Sequence, residues 1–134
     1  MADKRDTTIS TRKGVPDMRI EHADLAIVKG WYLGPWNSDL PISLGYTPRG
    51  IDEPHIHTRM TEIYLVARGT SELRVGDQTV TLTPGDVVVV EPGEPHTFLS
   101  SSPDYFHFVI QTPGLQGDDV AAERVAIPRS ALGL

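Results

Sequence analysis

The sequence predicts an all-β domain, either a sandwich or a barrel. Short runs rich in β-branched and aromatic residues alternate with glycine and proline, which is the pattern of short strands joined by turns. The predicted strands are, in order, LAIVKGWYL, LPISLGYT, EIYLVAR, SELRVG, QTVTLT, DVVVVE and YFHFVIQ. The 134-residue chain suits one domain with a buried core and is too short for two. We therefore expect one barrel over residues 17–134, preceded by a polar, aperiodic arm at residues 1–16 that is flexible or orders only on a partner subunit.

Three segments make more specific predictions. Gly76-Asp77, between two alternating runs, predicts a tight hairpin that needs positive φ. The four valines Val87–Val90 lie between two Pro-Gly turns, which predicts a fully buried strand. Residues 119–127 suit either a short helix or a final edge strand.

Composition excludes several classes of function. The net charge of −6 argues against nucleic acid or an anionic membrane surface as a partner. The chain contains no cysteine, so thiolate ligands, disulfides and a cysteine nucleophile are excluded. No apolar run approaches the length of a membrane span or of a secretory signal, which predicts a cytoplasmic protein.

The segment PHIHTRMTEIY places two histidines and a glutamate where they can converge. His55 and His57 are two residues apart, so on a strand they project from the same face. A turn after His57 returns the chain as a strand that can aim Glu62 at the same point. His96, which follows the second Pro-Gly turn, would supply a third imidazole from another strand. Three imidazoles and one carboxylate suit a borderline to hard divalent ion.

These residues resemble the two sequence motifs of the cupin superfamily. The first motif is carried by Gly50, His55, His57, Glu62 and Gly69, and the second by Gly85, Gly93 and His96. The resemblance implies a small double-stranded β-helix, or jelly-roll, barrel that is often a homodimer. It also implies one divalent metal ion per chain, held by His55, His57, Glu62 and His96. We expect iron(II), manganese, nickel, cobalt or zinc.

Two further residues are candidates for proton transfer. Tyr64 lies two residues after Glu62, so strand parity points it into the barrel near the metal. We expect Tyr64 to be the catalytic proton carrier, and a tyrosine filling the core is the alternative. His107 shares a strand face with Tyr105, Val109 and Gln111, but the pattern does not decide which face of that strand is inside.

The sequence supports two kinds of function. The first is a metal-dependent enzyme that acts on a small oxygenated organic molecule as a dioxygenase, isomerase, cyclase or lyase. The second is a barrel that binds or senses a small molecule without turning it over. One barrel serves many reactions, so the substrate does not follow from the fold.

Overall fold

A computed structural model describes residues 8–9 and 18–134 of the chain. The predicted arm, residues 1–16, lies outside the described residues except for Thr8–Ile9, which pairs with Met18–Arg19 in an antiparallel ribbon. The elements in chain order are β1 Thr8–Ile9, β2 Met18–Arg19, β3 Gly30–Leu33, β4 Ser43–Thr47, β5 His55–His57, β6 Thr61–Arg68, β7 Ser71–Val75, β8 Gln78–Leu82, β9 Val87–Val90, β10 His96–Ser101, β11 Phe106–Thr112, helix α1 Asp118–Glu123, β12 Arg124–Ala126 and a 3-10 helix at Arg129–Leu132.

Ten of these strands form two antiparallel sheets. The first, called the β5 sheet, has the order β12-β5-β10-β7-β8, and the second, called the β6 sheet, has the order β3-β4-β11-β6-β9. A hydrophobic core lies between the sheets and includes Leu73, Leu82 and Val90. This architecture confirms the predicted all-β jelly-roll barrel.

The hairpin predicted at Gly76-Asp77 is confirmed. Val75 pairs with Gln78, so these two residues form the connection between β7 and β8. Gly76 has a φ of 57°, in the left-handed region that glycine adopts without strain. The turn therefore sets the register of the whole hairpin.

The prediction that Val87–Val90 is a fully buried strand is wrong. Strand β9 is at the end of the β6 sheet and, among the described residues, pairs only with β6. Val90 is 2% exposed, whereas Val87 and Val89 are 58% and 53% exposed. The reason is that β9 packs on the core with one face only, while its run of four valines resembles that of a strand covered on both faces.

The C-terminal segment contains both elements that the sequence allowed. Helix α1 ends at Glu123, and Arg124–Ala126 then adds strand β12 to the edge of the β5 sheet, beside β5. In the part of the chain that the structure describes, no helix has both the length and the apolar character needed to cross a membrane.

Candidate metal centre

Four residues of the barrel converge at one point between the sheets. The β5 sheet supplies His55 and His57 from β5 and His96 from β10, where His96 pairs directly with His55. The facing sheet supplies Glu62 from β6. One ligand atom from each of the four residues lies within 4.8 Å of every other. The structure thus brings together all four residues that the sequence predicted as metal ligands.

Glu62 is at the centre of this cluster. Its Oε1 lies 3.1 Å from Nε2 of His57 and 3.1 Å from Nε2 of His96. All three of these side chains are at most 5% exposed. Burial opposes ionisation of Glu62, but its contacts with His57 and His96 outweigh this effect and hold its pKa well below the usual range. The carboxylate is therefore charged.

Two of the imidazoles are oriented by backbone carbonyls. Nδ1 of His55 donates to the carbonyl oxygen of Glu53 at 2.6 Å, and Nδ1 of His96 donates to that of Glu94 at 2.9 Å. Because a carbonyl can only accept, each of these two rings carries a proton on Nδ1. Burial and the neighbouring His96 lower the pKa of His55 to about 3, so this ring is neutral at pH 7.

His57 provides a direct test of whether the site fits a metal ion. Among the described residues, neither of its buried ring nitrogens has a partner with the geometry of a hydrogen bond, although Nε2 lies 3.1 Å from Oε1 of Glu62. A buried polar atom without a partner is unfavourable, and a cation shared with Glu62 would satisfy Nε2. The donor set of three imidazole nitrogens and one carboxylate oxygen suits divalent ions from manganese to zinc. The cluster is therefore compatible with the metal site that the barrel family implies.

Two side chains bind Glu62 from inside the barrel. The hydroxyl of Tyr64 donates to Oε1 at 2.7 Å, and Nε2 of Gln111 donates to Oε2 at 2.8 Å. Burial, reinforced by the charge of Glu62, raises the pKa of Tyr64 well above its usual value. Tyr64 thus lies beside the cluster, as strand parity predicted, and it is a neutral phenol there.

His107 also lies inside the barrel, which answers the question that the strand pattern left open. Its Nδ1 lies 2.7 Å from the hydroxyl of Tyr105. Burial lowers the pKa of His107 to about 4 and raises that of Tyr105, so both groups are neutral at pH 7. Within the described residues the phenol has no other acceptor, so it donates to Nδ1. The proton of the His107 ring is then on Nε2.

The sequence analysis missed Glu123, the last residue of α1. This carboxylate is 1% exposed, accepts hydrogen bonds from Thr58 and from the backbone N–H groups of Arg59 and Met60, and lies 3.9 Å from Nδ1 of His57. It thereby holds the turn between the second imidazole and Glu62. No local signal could have identified it, because it lies 65 residues beyond Thr58.

A small cavity of about 50 Å³ opens beside the cluster. The residues of its wall that carry charge or a transferable proton are His55, Glu62, Tyr64, His107, Lys29 and Arg124. A cavity of this size is far below the 300 Å³ or more typical of pockets that enclose a drug-sized ligand, so it fits a small molecule or one end of a larger one. The sequence analysis had not identified the two cations.

Comparison with known proteins gave a family and a set of related folds. Residues 44–110 match the model of the cupin domain. A search of curated sequences found no significant match. Three solved structures share the fold at low identity. Streptomyces PAC13 with uridine, a form of the protein described as a nucleoside dehydratase, has a TM-score of 0.62 and 14% identity over 81% of this chain and 83% of its own.

The second structure, KdgF from Halomonas sp., has a TM-score of 0.56 and 23% identity over 69% of this chain and 81% of its own. The third, a Cupin 2 conserved barrel domain protein from Salinispora arenicola, has a TM-score of 0.58 and 16% identity over 78% of this chain and 94% of its own. The match to the cupin model covers half of the chain and includes all four residues of the cluster. The chain therefore belongs to the cupin family.

Proposed function

We propose that this protein is a metal-dependent enzyme that acts on a small oxygenated organic molecule. The observation that carries the proposal is the convergence of three histidines and Glu62 beside a cavity whose wall also presents proton-carrying groups. A purely structural metal site has no use for an adjoining cavity, whereas a catalytic site needs one to admit substrate.

In this proposal His55, His57, Glu62 and His96 hold one divalent ion. When bound, the ion would supply Lewis-acid stabilisation of negative charge on a substrate oxygen. The chain's part is to fix the ligands, through the carbonyls behind two of the imidazoles and the hydrogen bonds to Glu62. Iron(II), manganese, nickel, cobalt and zinc all suit this donor set.

Tyr64 and His107 would move protons in the reaction. Both line the cavity, and each is neutral, so each brings a proton to the reacting molecule: Tyr64 on its phenol oxygen and His107 on Nε2. The ring of Phe98 packs against both, with its centroid 5.0 Å from that of Tyr64 and 5.0 Å from that of His107.

This arrangement favours some reactions over others. Isomerisation, cyclisation and β-elimination all require a proton to be delivered to one atom of the substrate and another to be taken from a second atom, and a group that has delivered its proton becomes the base that can take the other, whereas dioxygenation requires neither transfer. We therefore place isomerase, cyclase or lyase chemistry before dioxygenase chemistry. One protein of the same fold is described as a nucleoside dehydratase, and loss of water is a reaction of the lyase type.

The experiment begins with metal content. Protein without a histidine tag is purified without added metal, reloaded with each candidate ion, and analysed for elements beside the H57A variant. We expect about one ion per chain in the parent and a large loss in H57A. Equal metal content in both would show that the site is misplaced.

Turnover is then tested with a panel of small keto acids, hydroxy acids and sugar derivatives. In D2O, proton NMR detects exchange, isomerisation and elimination, and an oxygen electrode detects dioxygenation. Substrate-dependent oxygen uptake would reverse our order of reactions. Binding of panel compounds without any turnover would instead support the non-catalytic sensing module.

The homodimer and the cytoplasmic location are proposals that rest on the family resemblance and the composition. Light scattering on the purified chain tests the first, and fractionation of the source cells tests the second. A monomer would contradict the proposed assembly.

A further inference from the structure

Two cations reach the cavity from opposite sheets. Lys29 precedes β3 of the β6 sheet, and Arg124 is the first residue of β12 in the β5 sheet. Both side chains are part of the cavity wall. Arg124 is positioned by its register, because it pairs with His57 across the edge of the sheet. The two cations thus line the cavity beside the candidate metal centre from opposite sheets.

Among the described residues, neither cation makes an ion pair with a buried carboxylate. Lys29 has no ion pair among the described residues, and its ammonium group lies 5.0 Å from the centroid of the Trp31 ring. Arg124 lies 3.0 Å from Oε1 of Glu53, but these two side chains are 40% and 63% exposed. An exposed ion pair of this kind contributes little, so a ligand can displace it easily.

The cavity carries excess positive charge. Among the described residues Glu62 is the one carboxylate of the wall, so the wall itself has a net charge of +1 without a metal ion, and Glu53 offsets this only through its exposed pair with Arg124. Loss of hydration beside the cavity lowers the pKa of Lys29, and the charge of Arg124 adds to this effect, whereas the charges of Glu62 and Glu53 oppose it. An anion entering the cavity would compensate this charge.

We propose that Lys29 and Arg124 form a carboxylate-binding pair, so that the substrate is a small organic carboxylate. This inference rests on the proposed function. The planar fork of arginine matches the two oxygens of a carboxylate, and the lysine supplies a second, movable donor. The substrate would then be held at its carboxylate end, with its reacting carbons towards Tyr64 and His107.

The test is an NMR titration of the 15N-labelled, zinc-loaded protein with propionate. Propionamide is the neutral analogue of the same shape, and inorganic phosphate is the competing anion. We expect saturable shifts with propionate and weaker binding of both other probes. K29Q and R124Q should each lower the affinity for propionate by about tenfold, which is the effect of losing one charge-assisted contact. R124K should recover part of this loss.

R129Q is the matched control, because Arg129 also makes an exposed ion pair, at 2.8 Å to Asp52, and is not part of the cavity wall. We expect its affinity for propionate to equal that of the parent. Three results would refute carboxylate binding by this pair. They are propionamide binding as tightly as propionate, phosphate binding more tightly than propionate, and an unchanged affinity for propionate in both K29Q and R124Q.

Elemental analysis of the same samples separates this inference from the proposed function. Zinc in the parent with no propionate binding would refute the pair and leave the metal site standing. The titration is therefore repeated on metal-free protein. Propionate binding that is lost in K29Q and R124Q would support the pair there even if the parent failed to take up zinc.

Discussion

Replacement of Glu123 by alanine should destabilise the fold, although this residue is outside the candidate ligand set. The carboxylate accepts hydrogen bonds from the hydroxyl of Thr58 at 3.0 Å and from the N–H groups of Arg59 and Met60 at 2.8 Å each. Glu123 is 1% exposed, so in E123A these donors lose their partner in a place that water reaches poorly.

The size of the effect follows from these contacts. A hydrogen bond to a charged group contributes about 1.5 to 3 kcal/mol, but the three contributions are not additive because the turn can relax and admit water. We therefore expect E123A to lose about 3 kcal/mol of unfolding free energy for the three hydrogen bonds together. An unfolding entropy of about 2.1 cal/mol/K per residue then predicts a fall in Tm of about 10 °C for a chain of 134 residues.

Differential scanning calorimetry measures this shift, with D119A as the control. Asp119 is on the same helix and lies 3.7 Å from the same Arg59, but its side chain is 69% exposed. We expect D119A to lose no more than about 1 kcal/mol. If E123A melts within about 3 °C of the parent, the reasoning about buried hydrogen bonds is refuted.

The effect should also depend on pH. Although burial opposes ionisation, the hydrogen bonds from Met60, Arg59 and Thr58 hold the pKa of Glu123 below its ordinary value of 4.5. A depressed pKa contributes stability that is complete above the unfolded value and is lost as the pH falls through the folded value. The difference in stability between parent and E123A should therefore be constant from pH 7 to pH 5 and shrink below pH 4.5.

Three further predictions concern the hydrogen bonds to Glu62 and two glycines at positive φ. Y64F keeps the ring but removes the hydroxyl that donates to Glu62. We expect the metal content to be unchanged and the turnover of an identified substrate to fall by about 100-fold or more. Full activity of Y64F would exclude proton transfer by Tyr64. Q111L removes the donor to Oε2 of Glu62. Zinc affinity, measured by competition with a chelator, should then fall about tenfold or more. Equal zinc affinity in Q111L and the parent would mean that this hydrogen bond does not orient the carboxylate. G69A and G76A both place a side chain at positive φ, but a Cβ at Gly69 would lie 2.6 Å from a backbone carbon just before β11, whereas a Cβ at Gly76 meets nothing within 4 Å. Urea unfolding should therefore show a loss of about 1 kcal/mol of stability in G76A and a clearly larger loss in G69A. An equal loss in both variants would contradict the steric account.

Local patterns account for much of the agreement between prediction and structure. Alternation along a strand is a property of the backbone itself, so His55 and His57 had to share a face once that segment was a strand. Tyr64 follows Glu62 on the same face for the same reason. The turn at Gly76 was predictable because it needs a conformation that few other residues adopt.

The errors and omissions have a common physical cause. Whether a strand is covered on one face or on both depends on its place in the sheet, and β9 turned out to be an edge strand. The inner face of β11 likewise depended on which side packs against the other sheet. These properties come from contacts between segments that are far apart in the chain.

The sequence by itself therefore determined the class of fold and the turn at Gly76-Asp77, because these depend on the backbone preferences of neighbouring residues. It also identified four candidate metal ligands, because they stand in two short motifs that resemble those of the cupin superfamily. Only the tertiary structure decided that Glu123 supports the turn after His57, and that Lys29 and Arg124 meet at one cavity. These residues come together because two sheets pack face to face and β12 joins the edge beside β5. No spacing along the chain encodes that proximity.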